Sequence, residues 1–108
     1  MSDMPRLQQL LGFLKEEPDD PFLLYAIATE YNGTDTQKAL HYYERLLQEH
    51  PDYVGTYYHA AALYADIGEQ EKAEAIYTKG IKTAGKAGDL KALQELQNAY
   101  TNFQMEWD

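Results

Sequence analysis

Histidine, clustered carboxylates and a run of tyrosines are the side chains with which this chain could do chemistry. His41, His50 and His59 stand nine residues apart. No HxxxH or HExxH pair sets two imidazoles on one helical face, so a surface or repeat-filling role is expected rather than a metal site. Glu16-Glu17-Pro18-Asp19-Asp20 concentrates negative charge but lacks the alternating oxygen ligands and the glycine of a calcium loop. A solvated helix end, followed by a helix start that favours Asp, accounts for it. Asn32-Gly33-Thr34 has the form of a glycosylation sequon, yet it reads as a turn because no secretion signal is expected. The sequence contains neither a Gly-rich phosphate loop nor a nucleophile elbow. No acid–base or nucleophile constellation converges, so a protein that is not an enzyme and needs no cofactor or metal is expected.

The elements that position these side chains follow from composition and spacing. A length of 108 residues implies one domain spanning 1–108, too short for a large cleft between domains. The absence of cysteine excludes a disulfide scaffold and a cysteine-rich zinc site. Nine basic against eighteen acidic residues, a net charge of −9, argues against a protein that tracks a nucleic-acid backbone. No apolar run reaches the roughly 18 residues of a membrane span. The first twenty residues show no basic stretch ahead of an apolar one, so a cytoplasmic location is expected. Leu, Ile, Val and Phe together make only 21 residues, close to the disordered class, but ten tyrosines and thirteen alanines stand beside them. An interior of rings set against small residues suits closely packed helices, and a single valine makes a sheet unlikely on propensity grounds.

An internal repeat organises those helices. Aligning DTQKALHYYERLLQEHPDY with EQEKAEAIYTKGIKTAGK places Ala39 on Ala73, Tyr43 on Tyr77 and Leu47 on Ile81, all 34 residues apart. Upstream, Leu24 meets Tyr57, Tyr25 meets Tyr58, Ala28 meets Ala61 and Tyr31 meets Tyr64 at a separation of 33. The one-residue difference falls in the turn after Tyr31, where insertions are tolerated. Leu24, Ile27, Ala28 and Tyr31 make one helical face, and Ala39, Leu40, Tyr43, Leu46 and Leu47 make another. Asn32-Gly33 ends the first helix, Thr34 or Asp35 caps the next, and Pro51 stops it. The second unit repeats this with Tyr57, Ala60, Ala61 and Tyr64, then Ala73, Tyr77, Gly80 and Ile81. Glycines 33, 68, 85 and 88 are expected at helix ends, where a positive φ is useful.

Two such units in phase resemble the tetratricopeptide repeat. The resemblance rests on Leu24/Tyr57, Ala28/Ala61, Tyr31/Tyr64, Ala39/Ala73 and Tyr43/Tyr77, with Pro51 closing the first unit. These ten aromatic, bulky and small positions are expected to form the repeat core. Leu46 stands where the family usually has Ala, and Ala84-Gly85 stands where Pro is expected. The resemblance implies an all-α fold of antiparallel helical hairpins, stacked as a right-handed superhelix. Six helices are expected near 3–16, 20–32, 35–49, 53–67, 69–84 and 88–104. The organisation would be a half-repeat helix over 3–18, repeats over 20–52 and 53–86, a capping helix over 88–104 and a tail over 105–108. Arg6 stands where Ala39 would be, and Gln97 where Ala61 would be. Both are tolerable only if no further helix packs there.

In the family, one side of the first helix of each hairpin lines a concave groove for ligand peptides. Tyr25 and Tyr58 sit about 100° around their helices from the buried position, facing that groove or packing half-buried against neighbouring repeats. Helical spacing adds Phe22, Thr29 and Asn32, then Ala62, Ala65 and Asp66, then Lys91, Gln94, Asn98 and Thr101. This lining is nearly neutral, so the acid is expected on the other face and the loops. Some family members grip a chaperone's C-terminal carboxylate with Lys and Asn where this chain has Tyr25 and Thr29. That cationic clamp is not expected here. The expectation is a module binding a protein or peptide partner, with neither nucleic acid nor membrane as its target. The alternative is a self-assembly module, a homodimer that exchanges its cap helix.

Overall fold

In a computed structural model that describes residues 4–107, the chain forms six α-helices, with no strand among the described residues. They are α1 (Met4–Glu16), α2 (Pro21–Tyr31), α3 (Thr36–Glu49), α4 (Gly55–Asp66), α5 (Gln70–Ala87) and α6 (Leu90–Trp107). The described residues divide into two compact units, one ending at His50 and the other beginning at Pro51.

In the first unit α2 packs against both α1 and α3. That position explains why Leu23, Leu24, Ala26, Ile27 and Ala28 are all buried, leaving α2 little polar surface. Leu10 of α1 joins Leu23, Ala26 and Ile27 in one apolar cluster, with Leu7, Leu11, Leu14, Tyr31 and Tyr42 packed around it. Asp20 starts α2: its carboxylate accepts from Phe22 N at 2.8 Å and Leu23 N at 3.3 Å, with Pro21 at the first helical position. The acidic run is thus partly a helix cap. Asp35 caps α3, accepting from Lys38 N at 3.2 Å.

In the second unit α5 packs on α4 and α6, and α4 also meets α6. Both α4 and α5 end in the same backbone motif. At Gly68 (φ 87°), Glu69 N donates to Tyr64 O at 2.9 Å and Gly68 N to Ala65 O at 3.1 Å. At Gly88 (φ 71°), Asp89 N donates to Ala84 O at 3.1 Å and Gly88 N to Gly85 O at 3.2 Å. This pair of bonds satisfies carbonyls that the helix end would leave unpaired. The first hairpin turns differently. There α2 stops at Tyr31, and Asp35 N donates to Tyr31 O at 2.8 Å, whereas α4 runs on two residues past Tyr64. The one-residue difference between repeats is therefore the difference between two turn types.

Several helix ends differ from the sequence expectation. α5 runs through Gly85 to Ala87, three residues beyond 84, because its terminating αL residue is Gly88. Gly85 is an interior helical residue and does not end the helix. α6 runs to Trp107, through most of the expected tail, and Phe103 and Trp107 bring their rings to 5.3 Å one helical turn apart. The expected start of α1 at residue 3, and residue 108 of the tail, lie outside the described residues.

Burial raises the phenol pKa of Tyr43, Tyr57 and Tyr77. For Tyr43, fully buried, the value is pushed from 10.0 up to about 12, with the hydrogen bond from Asn32 and the nearby Tyr25 as lesser influences. A phenol that ionises less readily in the folded chain contributes stability that is intact below pH 10 and lost as pH rises toward 12. A spectrophotometric tyrosinate titration should show some phenols ionising normally and the rest only together with the loss of helix. Ten phenols titrating together at the ordinary value, with helix intact, would contradict this burial.

Candidate functional site

The two hairpins repeat the same local chemistry. Lys38 lies over the Tyr31 ring at 5.4 Å, and Lys72 over the Tyr64 ring at 4.7 Å. These pairs occupy the same register and bind the second helix of each hairpin to the first. Leu24, Ala28, Ala39, Tyr43, Tyr57, Ala61, Tyr64, Ala73 and Tyr77 lie buried. Tyr31 is half-buried, its ring stacked on Tyr42 at 6.0 Å. Tyr100 is also half-buried, and its hydroxyl donates to Glu74 at 2.9 Å, which raises its pKa.

In the first unit, Phe22, Tyr25, Thr29 and Asn32 form one stripe along α2 and its C-terminal end. Phe22 is 60% exposed, an apolar ring left in water. Tyr25 is half-buried and stands near enough to Tyr43 to oppose its ionisation. Thr29 is half-buried and turns its hydroxyl back to Ala26 O at 2.9 Å. Asn32 donates its amide to Tyr43 Oη at 3.5 Å, a long bond inside the hairpin. Phe22 and Asn32 are the exposed members of the four, and the Asn32 amide is engaged with the core tyrosine.

In the second unit, Tyr58 of α4 is 42% exposed, with its ring edge-on to His59 at 5.4 Å. It stands toward Tyr77 as Tyr25 does toward Tyr43, raising the Tyr77 pKa behind the larger effect of burial. Ala62 and Ala65 are half-buried, and Asp66 is exposed at the end of α4. On α6, Lys91, Gln94, Asn98 and Thr101 are exposed, while Leu96 and Phe103 point inward and are buried. His59 is half-buried between these helices; desolvation lowers its pKa from 6.5, opposed by Glu95. Tyr58 and the polar α6 residues are side chains that water already reaches and a ligand could replace.

No group of three or more His, Cys, Asp or Glu among the described residues is placed to hold a metal ion. No helix of the described chain is long and apolar enough to cross a membrane. An open groove that helical spacing alone does not reveal lies between the Pro51-Asp52 turn and α5, bordered by Thr78, Lys79, Lys82 and Thr83. Its signal in the sequence is the stretch from Ile76 to Gly88, which carries three lysines and no acid.

The tetratricopeptide repeat family profile matches residues 34–99, more than half of the chain. The chain is similar to a tetratricopeptide repeat domain protein from Salinibacter ruber known from a crystal structure. They share 40% identity over 79% of this chain and 97% of that one, with a TM-score of 0.75. A solution NMR structure of a tetratricopeptide repeat domain protein from the same organism is 41% identical over 80% of this chain and 88% of that one, with a TM-score of 0.75. The crystal structure of MamA protein shares the fold, at 24% identity and a TM-score of 0.71 over 92% of this chain and 54% of that one. No curated protein sequence matches. The chain belongs to the tetratricopeptide repeat family. Its fold is the all-α, helical-solenoid class that generally serves protein–protein interaction, a class that is typically non-catalytic.

Proposed function

We propose that this chain is a non-enzymatic interaction module that binds a peptide segment or helix through exposed aromatic helix faces, that of Phe22 on α2 in the first unit and that of Tyr58 on α4 in the second. The observation that carries the reading is a pair of exposed aromatic rings, Phe22 and Tyr58, on faces that are otherwise nearly neutral in a chain of net charge −9. Exposed rings lose little entropy when a partner covers them and supply much of the binding energy of an interface. Polar groups on Gln94 and Asn98 supply hydrogen bonds at the edge of such a contact. The ligand therefore presents apolar or aromatic side chains and few charges. The chaperone-tail reading lacks its lysines, since Tyr25, Thr29, Tyr58 and Ala62 stand at the clamp positions.

Peptides selected from a random displayed library against the immobilised chain provide the test. Selected sequences should be rich in aromatic and aliphatic residues. Tyr58→Ala should weaken them by about tenfold or more with helical content unchanged, as expected of an aromatic hot spot. Affinity should change little between low and physiological salt, because few charges meet. Peptides that bind Tyr58→Ala and Phe22→Ala as tightly as the parent chain would overturn the reading. The cap-exchange alternative has less support, since α6 is seated on α5 of its own chain, with Tyr77 and Phe103 rings 5.4 Å apart.

A further inference from the structure

Several of the nine basic side chains are engaged within the chain itself. Arg6 pairs with Glu30 at 2.8 Å, and Lys38 and Lys72 lie over tyrosine rings. Lys79, Lys82 and Lys86 are different. All three are exposed, and none forms an ion pair among the described residues. At i, i+3 and i+7 of α5 they share one face over about 10 Å of helix axis.

The internal repeat shows what released them. Lys79 has the register of Arg45. In the first hairpin Arg45 Nη2 donates to the Pro18 carbonyl at 3.0 Å and pairs with Glu49 at 3.2 Å and Asp19 at 3.6 Å. That network raises the Arg45 pKa and lowers that of Glu49, the mutual hydrogen bond being the main cause of both shifts. In the second hairpin the carbonyl of Pro51, counterpart of Pro18, accepts from Tyr57 Oη at 2.6 Å. The Glu49 position is Thr83, whose hydroxyl donates to Lys79 O at 2.8 Å. The Gln48 position is Lys82. The carbonyl is now served by Tyr57 and the glutamate is replaced by Thr83, while a second cation has been added beside Lys79. Asp52, counterpart of Asp19, lines the groove with no ion pair among the described residues. Favourable interaction with the negative end of α5 accounts for Lys86 and in part for Lys82, but it fades within the last turn and does not reach Lys79.

We propose that this face of α5, with the Pro51-Asp52 turn as its wall, is a second binding surface, and that its partner is an acidic peptide segment. Carboxylates at alternate positions of an extended chain recur about every 7 Å on one side, a spacing that lets two of them meet flexible lysines spread over this face. The Thr78 and Thr83 side chains border the groove, and Asp52 is the one acid lining it, so a multiply charged ligand finds a net positive surface. The net charge of −9 works against a long polyanion such as nucleic acid, whose charge extends beyond the groove.

The test titrates the full-length, isotope-labelled chain with a blocked hexapeptide of Glu and Asp, with its Gln/Asn counterpart and with hexathymidylate. The acidic peptide should shift the amides of Thr78, Lys79, Lys82, Thr83 and Lys86, and the neutral peptide should not. Changing Lys79, Lys82 and Lys86 together to Gln should weaken binding about tenfold while the melting curve stays in place, three exposed charge contacts being lost. Raising the salt should weaken binding several-fold. Tyr58→Ala should leave the acidic peptide's affinity unchanged, so this surface and the aromatic one succeed or fail separately. Absence of shifts on this face at millimolar peptide would overturn the proposal, as would equal affinity for the glutamine variant or tighter binding of hexathymidylate.

Discussion

Gly80→Leu should lower the folding stability by about 3 kcal/mol, the upper part of the range for overpacking a tight contact. Gly80 lies where the α5 backbone packs directly on Tyr57 of α4. A Cβ at this site would stand 2.5 Å from Tyr57 Cβ and 2.9 Å from Tyr57 Cγ. Those atoms form the root of the tyrosine side chain, so the ring cannot swing aside to make room; the helices themselves must move. Alanine is therefore enough to destabilise, by about 1–2 kcal/mol, even though alanine ordinarily gains about 1 kcal/mol over glycine inside a helix. The matched control sits five residues on. Gly85 is in the same helix with nothing within 4 Å of an added Cβ, and Gly85→Ala should stabilise by up to about 1 kcal/mol. Urea unfolding followed by helix content and by the fluorescence of Trp107 measures both. Equal signs for the two alanine variants would refute the close approach.

A second large effect is expected at the register position shared by Arg6, Ala39 and Ala73. Ala39 and Ala73 are fully buried, whereas the Arg6 side chain is 64% exposed. Ala73→Leu should cost about 2–3 kcal/mol by overpacking the α5 hairpin. Arg6→Ala removes an exposed pair with Glu30 and should cost no more than about 1 kcal/mol. The contrast follows from treating α1 as half a hairpin, which carries an exposed Arg6 at the position where each full hairpin buries an alanine. If thermal melts ranked the two substitutions in the opposite order, that half-repeat reading would fail.

The hairpins were legible in the sequence because apolar spacing reports directly on which side of a helix is buried. Ala28 with Ala61 and Tyr43 with Tyr77 each lie buried at matching places in the two units. Helix ends were less legible, since they depend on backbone bonds that composition hints at without deciding. Gly85 and Gly88 are both plausible stops for α5, and only the αL geometry at Gly88 separates them. The exposed rings of Phe22 and Tyr58 could be anticipated from helical spacing, but the turning of Asn32 toward Tyr43 could not. The lysine face of α5 was hidden for another reason. Its meaning depends on Arg45 being held by Pro18 and Asp19, residues far apart from it in the chain, while Tyr57 serves Pro51 across a turn, and spacing along one helix shows neither contact.

Central to the proposed function is that the exposed aromatic faces, Phe22 in the first unit and Tyr58 in the second, are what a partner contacts. Chemical-shift mapping of the labelled chain with a library-selected apolar peptide measures this most directly. Perturbations should centre on Phe22, Tyr25, Thr29, Tyr58 and Ala62, with weaker ones at Gln94 and Asn98. Perturbations confined to the residues around Lys38, Arg45 and Lys79 would contradict it.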